Sequence, residues 1–220
     1  IFFIDNNAFN KCSSLEKISI PSSVTYFGND IFNEVVTLEI IGDINTIPTN
    51  LFSQNKWLKY ISIPSSVTSI GKESFFECTA LEEISIPSSV INFGKDIFKG
   101  IESLKITGDI MHIANDLFYD CSTLEQISIP PSVKSIGDYS FAFCSSLKEI
   151  EIPSTLASIG EYAFKDCSSL KEIIVPSSMK EIKESTFSGC SSLERIIIPS
   201  SVTSIGYFAF KNCSSLKEIE

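Results

Sequence analysis

Hydrophobic residues return along the chain at a fixed long interval instead of the spacing of a helix face or a hairpin. The most regular of them is phenylalanine, and each copy lies 23 or 20 residues after the one before it. A period of this length is typical of repeat architectures. Because the register never breaks, we predict a single repeat domain over residues 1–220, with about nine to ten repeats. The column consists of Phe9, Phe32, Phe52, Phe75, Phe98, Phe118, Phe141, Phe164, Phe187 and Phe210.

Within most repeats, two isoleucines separated by one residue alternate as a short strand does. Ile150 and Ile152 are one such pair, and Pro153 follows them directly. Proline has no N–H group to donate to a neighbouring strand, so it belongs where pairing stops. Each repeat is therefore predicted to contribute one strand of about four residues.

A strand of this length cannot fold alone, so equivalent strands must stack on one another. Stacking at about 4.8 Å makes a parallel sheet whose inward side chains form one continuous core, which is a solenoid. Val133 and Ile136 represent two further interior columns. Glycine follows the second of these columns in six repeats, where we expect a positive φ or a close turn. These residues are Gly28, Gly71, Gly94, Gly137, Gly160 and Gly206.

Two repeats are shorter than the others because the Cys-Ser-Ser-Leu corner is missing from them. The deletion lies between Phe32 and Leu38 and at the equivalent place after Phe98, and both repeats continue with Gly-Asp-Ile, at residues 42–44 and 108–110. No glycine-rich phosphate loop precedes a helix at either place, so both segments are interpreted as turns.

The strand Leu-x-x-Ile-x-Ile-Pro, the recurring phenylalanine and the corner Phe-x-x-Cys-x-x-Leu resemble the BspA-like leucine-rich repeats of bacterial and protist surface proteins. Phe141 to Gly160 is a complete copy of the unit, and the resemblance covers essentially the whole chain. The departures are the two short repeats and Asn55, which replaces the corner cysteine. The resemblance implies a leucine-rich repeat solenoid: a right-handed coil of short parallel β-strands, with loops and short 3-10 or helical turns on the opposite side.

For function, the resemblance implies a non-catalytic protein-recognition module of a cell-surface protein. Its role would be adhesion, or binding of host or matrix proteins through the exposed strand face. One fold hosts many functions, so this step is an analogy. The alternative is an intracellular leucine-rich repeat scaffold or regulator that binds a cytosolic protein. The expected location is accordingly the cell surface or the extracellular space, with the cytoplasm as the alternative.

Composition narrows the choice of partner. The formal charge of −10 disfavours binding to nucleic acid or to an anionic membrane surface. No apolar run approaches the roughly 20 residues of a spanning helix, so membrane insertion within this chain is not expected. A protein partner is expected, and an uncovered strand also permits end-to-end or edge-mediated self-association. Neither end carries a polar capping repeat, so we expect either that the sequence is a fragment of a longer protein or that a partner covers its ends.

Seven cysteines raise the question of metal or disulfide chemistry. Each lies three residues after a column phenylalanine, so none is closer than 23 residues to the next. Zinc sites use pairs two to four residues apart within a convergent set, and this spacing is absent. Buried free thiols are predicted, with no metal or cofactor. Free thiols suit a reducing compartment, but burial weakens that inference. They are Cys12, Cys78, Cys121, Cys144, Cys167, Cys190 and Cys213.

A single histidine leaves little scope for acid–base catalysis. His112 would need a positioned nucleophile and an orienting group, and the many serines, such as Ser22 and Ser23, are explained as turn columns. The chain is therefore predicted not to be an enzyme and to have no catalytic, cofactor-binding or metal-binding residues.

The outward strand positions carry the surface that is both continuous and varied. Most residues there are polar, but Ile174 and Ile197 are neighbouring isoleucines that the interior pattern does not require. Flanked by Glu172 and Arg195, they would form an apolar pair ringed by charge, as recognition patches do. The alternative, that β-branched residues merely favour strands, stays open. The candidate partner-binding residues are Tyr60, Glu149, Glu151, Glu172, Ile174, Arg195 and Ile197.

Overall fold

The structure is a computed structural model that describes residues 3–220 of the chain. These residues form short parallel strands joined by turns, and successive coils stack as the sequence predicts. Two compact units are present, one up to Ile110 and one from Met111 onwards. The predicted solenoid of parallel strands is confirmed.

In the first unit, each coil has one wider strand on what we call its strand side and a two-residue strand after the next turn. The wider strands are the second, fourth, sixth, eighth and tenth strands in chain order, and each pairs in parallel with the next one in this series. In chain order the strands are β1 (Phe3–Ile4), β2 (Lys17–Ser19), β3 (Tyr26–Phe27), β4 (Thr37–Ile41), β5 (Thr46–Ile47), β6 (Tyr60–Ser62), β7 (Ser69–Ile70), β8 (Glu83–Ser85), β9 (Asn92–Phe93) and β10 (Ser103–Thr107). The two-residue strands form the ladders β1–β3 and β5–β7–β9.

The second unit repeats this plan with one interruption. Its strands are β11 (His112–Ile113), β12 (Gln126–Ser128), β13 (Ser135–Ile136), β14 (Glu149–Glu151), β15 (Ser158–Ile159), β16 (Glu172–Ile174), β17 (Glu181–Ile182), β18 (Arg195–Ile197), β19 (Ser204–Ile205) and β20 (Glu218–Ile219). The wider strands pair as β12–β14 and as β16–β18–β20, and the narrow ones as β11–β13–β15 and β17–β19. Strands β14 and β16 therefore belong to different sheets.

The phenylalanine column is the centre of the core in both units. The ring of Phe52 stacks on that of Phe75 with centroids 5.2 Å apart, and Phe118 stacks on Phe141 at 5.0 Å. Phe164 continues the second stack at 5.2 Å from Phe141, and both rings are fully buried. Like residues of successive coils therefore meet, as the register predicts.

The turn side of the coil, opposite the strands, differs from expectation: residues 3–220 contain turns there, and the expected 3-10 or helical segments are not confirmed. The N–H groups of Tyr139, Phe141 and Phe143 donate to the next coil, whereas those of Ala142 and Cys144 donate within their own. In a helix, the backbone N–H groups donate to carbonyl groups of the same helix. A segment whose alternate N–H groups donate to the neighbouring coil therefore does not continue as a helix. No helix in the described part of the chain is long and apolar enough to span a bilayer.

The corner thiols also bond across coils. The Cys78 Sγ donates to the carbonyl oxygen of Phe52 at 2.8 Å, and burial raises the pKa of this thiol to about 12. All seven cysteines are free, as predicted. Burial holds for five of them but is wrong for Cys12, which is exposed, and incomplete for Cys213, because each of these two has a covering coil on one side only.

Asn55 keeps the bond that the corner cysteine makes elsewhere. Its side-chain Nδ2 donates to the carbonyl oxygen of Phe32 at 2.9 Å, and its Oδ1 accepts the backbone N–H groups of Trp57 and Leu58, each at 2.9 Å. The asparagine thus joins two coils and closes its own turn.

The Gly-Asp turns of the short repeats clamp the coil before them. The Asp43 carboxylate accepts the backbone N–H of Ser22 at 2.7 Å and its hydroxyl at 2.8 Å, and Asp109 accepts the same two donors of Ser88 at 2.7 and 2.9 Å. Gly42 has a φ of 102°, and a Cβ there would lie 2.6 Å from a carbonyl oxygen of the neighbouring coil. The position therefore requires glycine.

Replacing Phe141 or Phe164 by alanine is expected to lower the free energy of unfolding by about 3–5 kcal/mol, because a fully buried ring leaves a packed stack. Urea denaturation followed by circular dichroism measures the loss. Phe143→Ala, which removes a partly exposed ring from the turn side, is the matched control and should cost about 1 kcal/mol or less. A loss below about 1 kcal/mol at Phe141 would contradict the buried stack.

Replacing Asn55 by alanine is expected to cost about 1–3 kcal/mol, because two N–H groups and a buried carbonyl lose their partner. Asn55→Cys restores the donor to Phe32 and should recover part of that loss. Thermal unfolding of the two variants beside the wild type distinguishes them. Equal stability of the alanine and cysteine variants would show that the cross-coil bond contributes nothing.

The Asp43 clamp should make stability sensitive to acid. Hydrogen bonds from the Ser22 backbone and side chain lower the pKa of the Asp43 carboxyl. A lowered folded-state pKa gives stability that is present above the unfolded value of about 3.9 and is lost as the pH falls through the folded value. Asp43→Asn is therefore expected to flatten the dependence of unfolding free energy on pH below about 5. Urea titrations between neutral and acidic pH test this, and an unchanged slope would rule the clamp out as a source of it.

Candidate functional site

Six of the seven candidate residues lie on the strand side of the second unit. In the register of β16 and β18, Glu172 lies opposite Arg195 and Ile174 lies opposite Ile197. Ile174 is 59% exposed and Ile197 is partly exposed, since strand alternation turns their neighbours inward. The strand β14 contributes Glu149 and Glu151.

A groove of about 700 Å³ lies between β14 and β16, and we call it the β14–β16 groove. Ile150 and Ile152 are half-buried in it, and the exposed Ile174 stands beside them. Apolar side chains bordered by charged ones are typical of protein-binding surfaces. The lining residues are Lys148, Glu149, Ile150, Glu151, Ile152, Lys171, Glu172 and Ile174.

Arg195, the one arginine of the chain, holds three carboxylates beside the isoleucine pair. Its guanidinium nitrogens lie 2.9 Å from Glu220, 3.4 Å from Glu172 and 3.6 Å from Glu218. The hydrogen bond to Glu220, followed by the surrounding negative charge, raises the pKa of Arg195. The side chain of Arg195 is 40% exposed and those of the three glutamates are about half exposed, so these pairs contribute little to stability.

Tyr60 lies apart from this cluster, on β6 of the first unit. Its ring is 42% exposed, and its hydroxyl donates to the Glu82 carboxylate at 2.6 Å. That hydrogen bond raises the pKa of the Tyr60 hydroxyl, and Lys59 pairs with the same carboxylate at 2.8 Å. The structure therefore gives Tyr60 a polar setting of its own.

Sequence reasoning missed four residues that line the β14–β16 groove. The strand pattern predicts that Ile150 and Ile152 are interior, because a solenoid strand normally pairs on both sides. Lys148 and Lys171 lie outside the outward strand positions that supply the candidates, although the sequence contains a signal for them. They are like charges one repeat apart, and a continuous sheet would place them side by side at an energetic cost.

The remaining chemistry-bearing groups do not assemble into a reactive site. The His112 Nδ1 lies 2.7 Å from the Ser135 hydroxyl, which follows from the pairing of β11 with β13. A general base would need a carboxylate to orient this ring, and the partner bonded to its Nδ1 is a hydroxyl. In the same range, no group of three or more His, Cys, Asp or Glu side chains is arranged to hold a metal ion.

Parallel strands that stack from one repeat to the next, over columns of phenylalanine and cysteine, define a leucine-rich repeat protein, a class of generally non-catalytic binding modules. The family model described as BspA type leucine rich repeat region matches residues 2–122 and 111–220. The chain belongs to this family, which confirms the resemblance carried by its sequence motifs.

Two solved bacterial structures are similar to the chain. A leucine rich cell surface protein from Faecalibacterium prausnitzii A2-165 is 28% identical, with 100% of this chain and 76% of that chain covered and a TM-score of 0.54. A leucine-rich repeat protein of T. pallidum is 27% identical, with 78% of this chain and 82% of that chain covered and a TM-score of 0.61. No curated protein matches the chain.

Proposed function

We propose that the chain is a non-catalytic recognition module of a cell-surface protein, and that it binds another protein through the strand side of its second unit. Adhesion to a host or matrix protein is the role proposed for this contact. The observation that carries the proposal is the pair Ile174 and Ile197, two neighbouring isoleucines at outward positions, with the Glu172–Arg195 ion pair beside them.

The contrast with other outward positions supports this choice. Ser85 and Ser128 occupy the equivalent place on β8 and β12, so polar residues satisfy the fold there. An apolar centre with a charged rim is the arrangement found at interface hot spots, where a few residues carry most of the binding energy. The neighbouring β14–β16 groove extends the apolar surface next to Ile174.

The cell-surface location is supported by likeness alone. The chain belongs to the BspA type family, and one of its similar structures is described as a leucine rich cell surface protein.

An intracellular scaffold is the second candidate, favoured by the seven free thiols. Protease treatment of intact source cells, followed by detection of the full-length protein, separates the two. Digestion on intact cells supports the surface role, and protection until the cells are lysed supports the intracellular one.

Replacing both Ile174 and Ile197 by glutamate is expected to weaken partner binding at least about tenfold, since it removes the apolar centre of the patch. The probes are immobilised fibronectin, laminin and collagen, and surface plasmon resonance measures the affinity of the purified chain for each. Both positions face solvent, so the variant should unfold as cooperatively as the wild type.

The matched control replaces Ile91 and Met111, which are 74% and 46% exposed, by glutamate. It introduces the same change in charge at two exposed apolar positions outside the patch and should bind like the wild type. Unchanged affinity of the Ile174/Ile197 variant for a matrix protein that the wild type binds would remove the patch from the proposal. No binding of the wild type to any of the three would count against the adhesion role.

A further inference from the structure

The strand side of the second unit is open between β14 and β16. The other wider strands in its described coils are paired. The N–H of Lys148 donates to the carbonyl oxygen of Glu125 in the coil before at 3.0 Å, and that of Glu194 donates to Lys171 at 2.9 Å. Among residues 3–220, the equivalent bond from Lys171 to Lys148 is missing, and β14 and β16 are unpaired.

The turn side of the same two coils stays closed. The N–H of Tyr162 donates to the carbonyl oxygen of Glu184 at 3.1 Å, and that of Phe164 donates to Thr186 at 2.8 Å. The two coils are therefore hydrogen-bonded along their turns and separated along their strands.

The column of glycines accounts for one part of the opening, the break in the ladder of two-residue strands. A Cβ on Gly160 would lie 2.5 Å from the backbone nitrogen of Asp138, and one on Gly206 would lie 2.6 Å from that of Glu184. These glycines matter through close approach, since none of the six has a positive φ. In all six repeats that keep the glycine, the two-residue strand before it pairs with the preceding coil. Lys183 occupies this column after β17, and β17 does not pair with β15.

The first unit contains a second case. Pro48 stands in the glycine column after β5, and β5 does not pair with β3. A smaller groove, of about 320 Å³, lies along these two strands. In both cases a residue with a Cβ replaces the glycine and the ladder of two-residue strands is interrupted. Beside Pro48 the wider strands β2 and β4 stay paired, so the opening between β14 and β16 requires a second cause as well.

Charge acts in the same direction at the β14–β16 groove. A closed sheet would place Lys148 beside Lys171 and Glu149 beside Glu172, and like charges directly opposite each other are destabilising. On either side of the groove the cross-coil pairs are opposite in charge: Lys148 lies 2.7 Å from Glu125, and Glu172 lies 3.4 Å from Arg195.

We propose that the β14–β16 groove is a docking site for an extended segment of a protein partner, with an acidic, a basic and then two apolar residues in succession. This inference rests on the proposed function and specifies how the strand side would be recognised. The open edges of β14 and β16 offer backbone groups to such a segment, as in strand addition to a sheet.

The strand β18 shows what this partner must look like. It lies between β16 and β20, which carry the same Lys-Glu-Ile order as the walls of the groove. Glu194, directly before the strand, pairs with Lys217 at 2.9 Å. Within the strand, Arg195 reaches both Glu172 and Glu218, and Ile196 points into the core. A segment of this pattern would place its acid between Lys148 and Lys171 and its base between Glu149 and Glu172.

The probe is a fluorescein-labelled peptide with the sequence of residues 192–199, Ser-Leu-Glu-Arg-Ile-Ile-Ile-Pro, and its matched control has the Glu and Arg exchanged. Fluorescence anisotropy with the full chain should show binding of the first peptide and at least about tenfold weaker binding of the second. Absence of binding, or equal binding of both peptides, would overturn the proposal.

The variant Lys183→Gly should close the groove and weaken peptide binding at least about tenfold, while Lys183→Ala, which keeps a Cβ, should bind within about twofold of wild type. Hydrogen exchange gives a second measurement, because closure should slow the amides of residues 149–152 and 172–175 in the glycine variant relative to the alanine variant. Wild-type binding by a Lys183→Gly chain whose amides have become protected would overturn the docking site. Unchanged exchange would overturn the role of Lys183.

The two proposals fail in distinguishable ways. A chain whose matrix-protein binding requires Ile174 and Ile197 but is unaffected by Lys183→Gly keeps its proposed function and loses the groove as its docking site. Peptide binding that is lost in Lys183→Gly, without binding to any matrix protein, supports the groove and counts against adhesion.

Discussion

The close approach of one coil to the next is the constraint on which the rest of this structure depends. Parallel strands pair only at about 4.8 Å, and the turn side of these coils must come equally close because its alternate N–H groups donate to the next coil. A backbone group that failed to reach its partner would be left unsatisfied in the interior. A residue that faces a neighbouring coil must therefore have a side chain small or flat enough to allow this close approach.

This constraint accounts for residues of very different chemistry. Gly160 leaves space where a Cβ would meet the backbone, and the flat ring of Phe141 stacks at a spacing set by the coils. Asn55 takes the place of a cysteine because both can donate to the carbonyl group of the phenylalanine one coil earlier. Outward side chains are not limited in this way, so the residue types along the strands vary at the outward positions.

The sequence allowed the column structure to be predicted but not the exceptions to pairing. Regular spacing reports which residues are equivalent, so the positions of Phe164 and Cys78 followed directly from the period. The turn side was harder to predict. A short apolar segment with three-residue spacing has the same sequence pattern whether its backbone N–H groups donate within the segment or to the next coil. The parting of β14 from β16 depends on pairs of residues one repeat apart, such as Lys148 and Lys171, and single columns do not show such pairs. Cys12 was placed in the core because its column is buried elsewhere, whereas burial at that position needs a coil on both sides.

An opening between two coils is compatible with a stable protein because each coil interacts mainly with its nearest neighbours. In a globular core, a residue that keeps two strands apart would disturb many contacts, but here Lys183 affects one interface and leaves the phenylalanine stack continuous, with Phe164 and Phe187 at 5.6 Å. The turn ladder of the same coils also remains hydrogen-bonded. A repeat protein can thus acquire a groove with unpaired strand edges by changing one glycine and the charges facing it. The strands on either side keep their register, and the new surface lies beside the exposed Ile174.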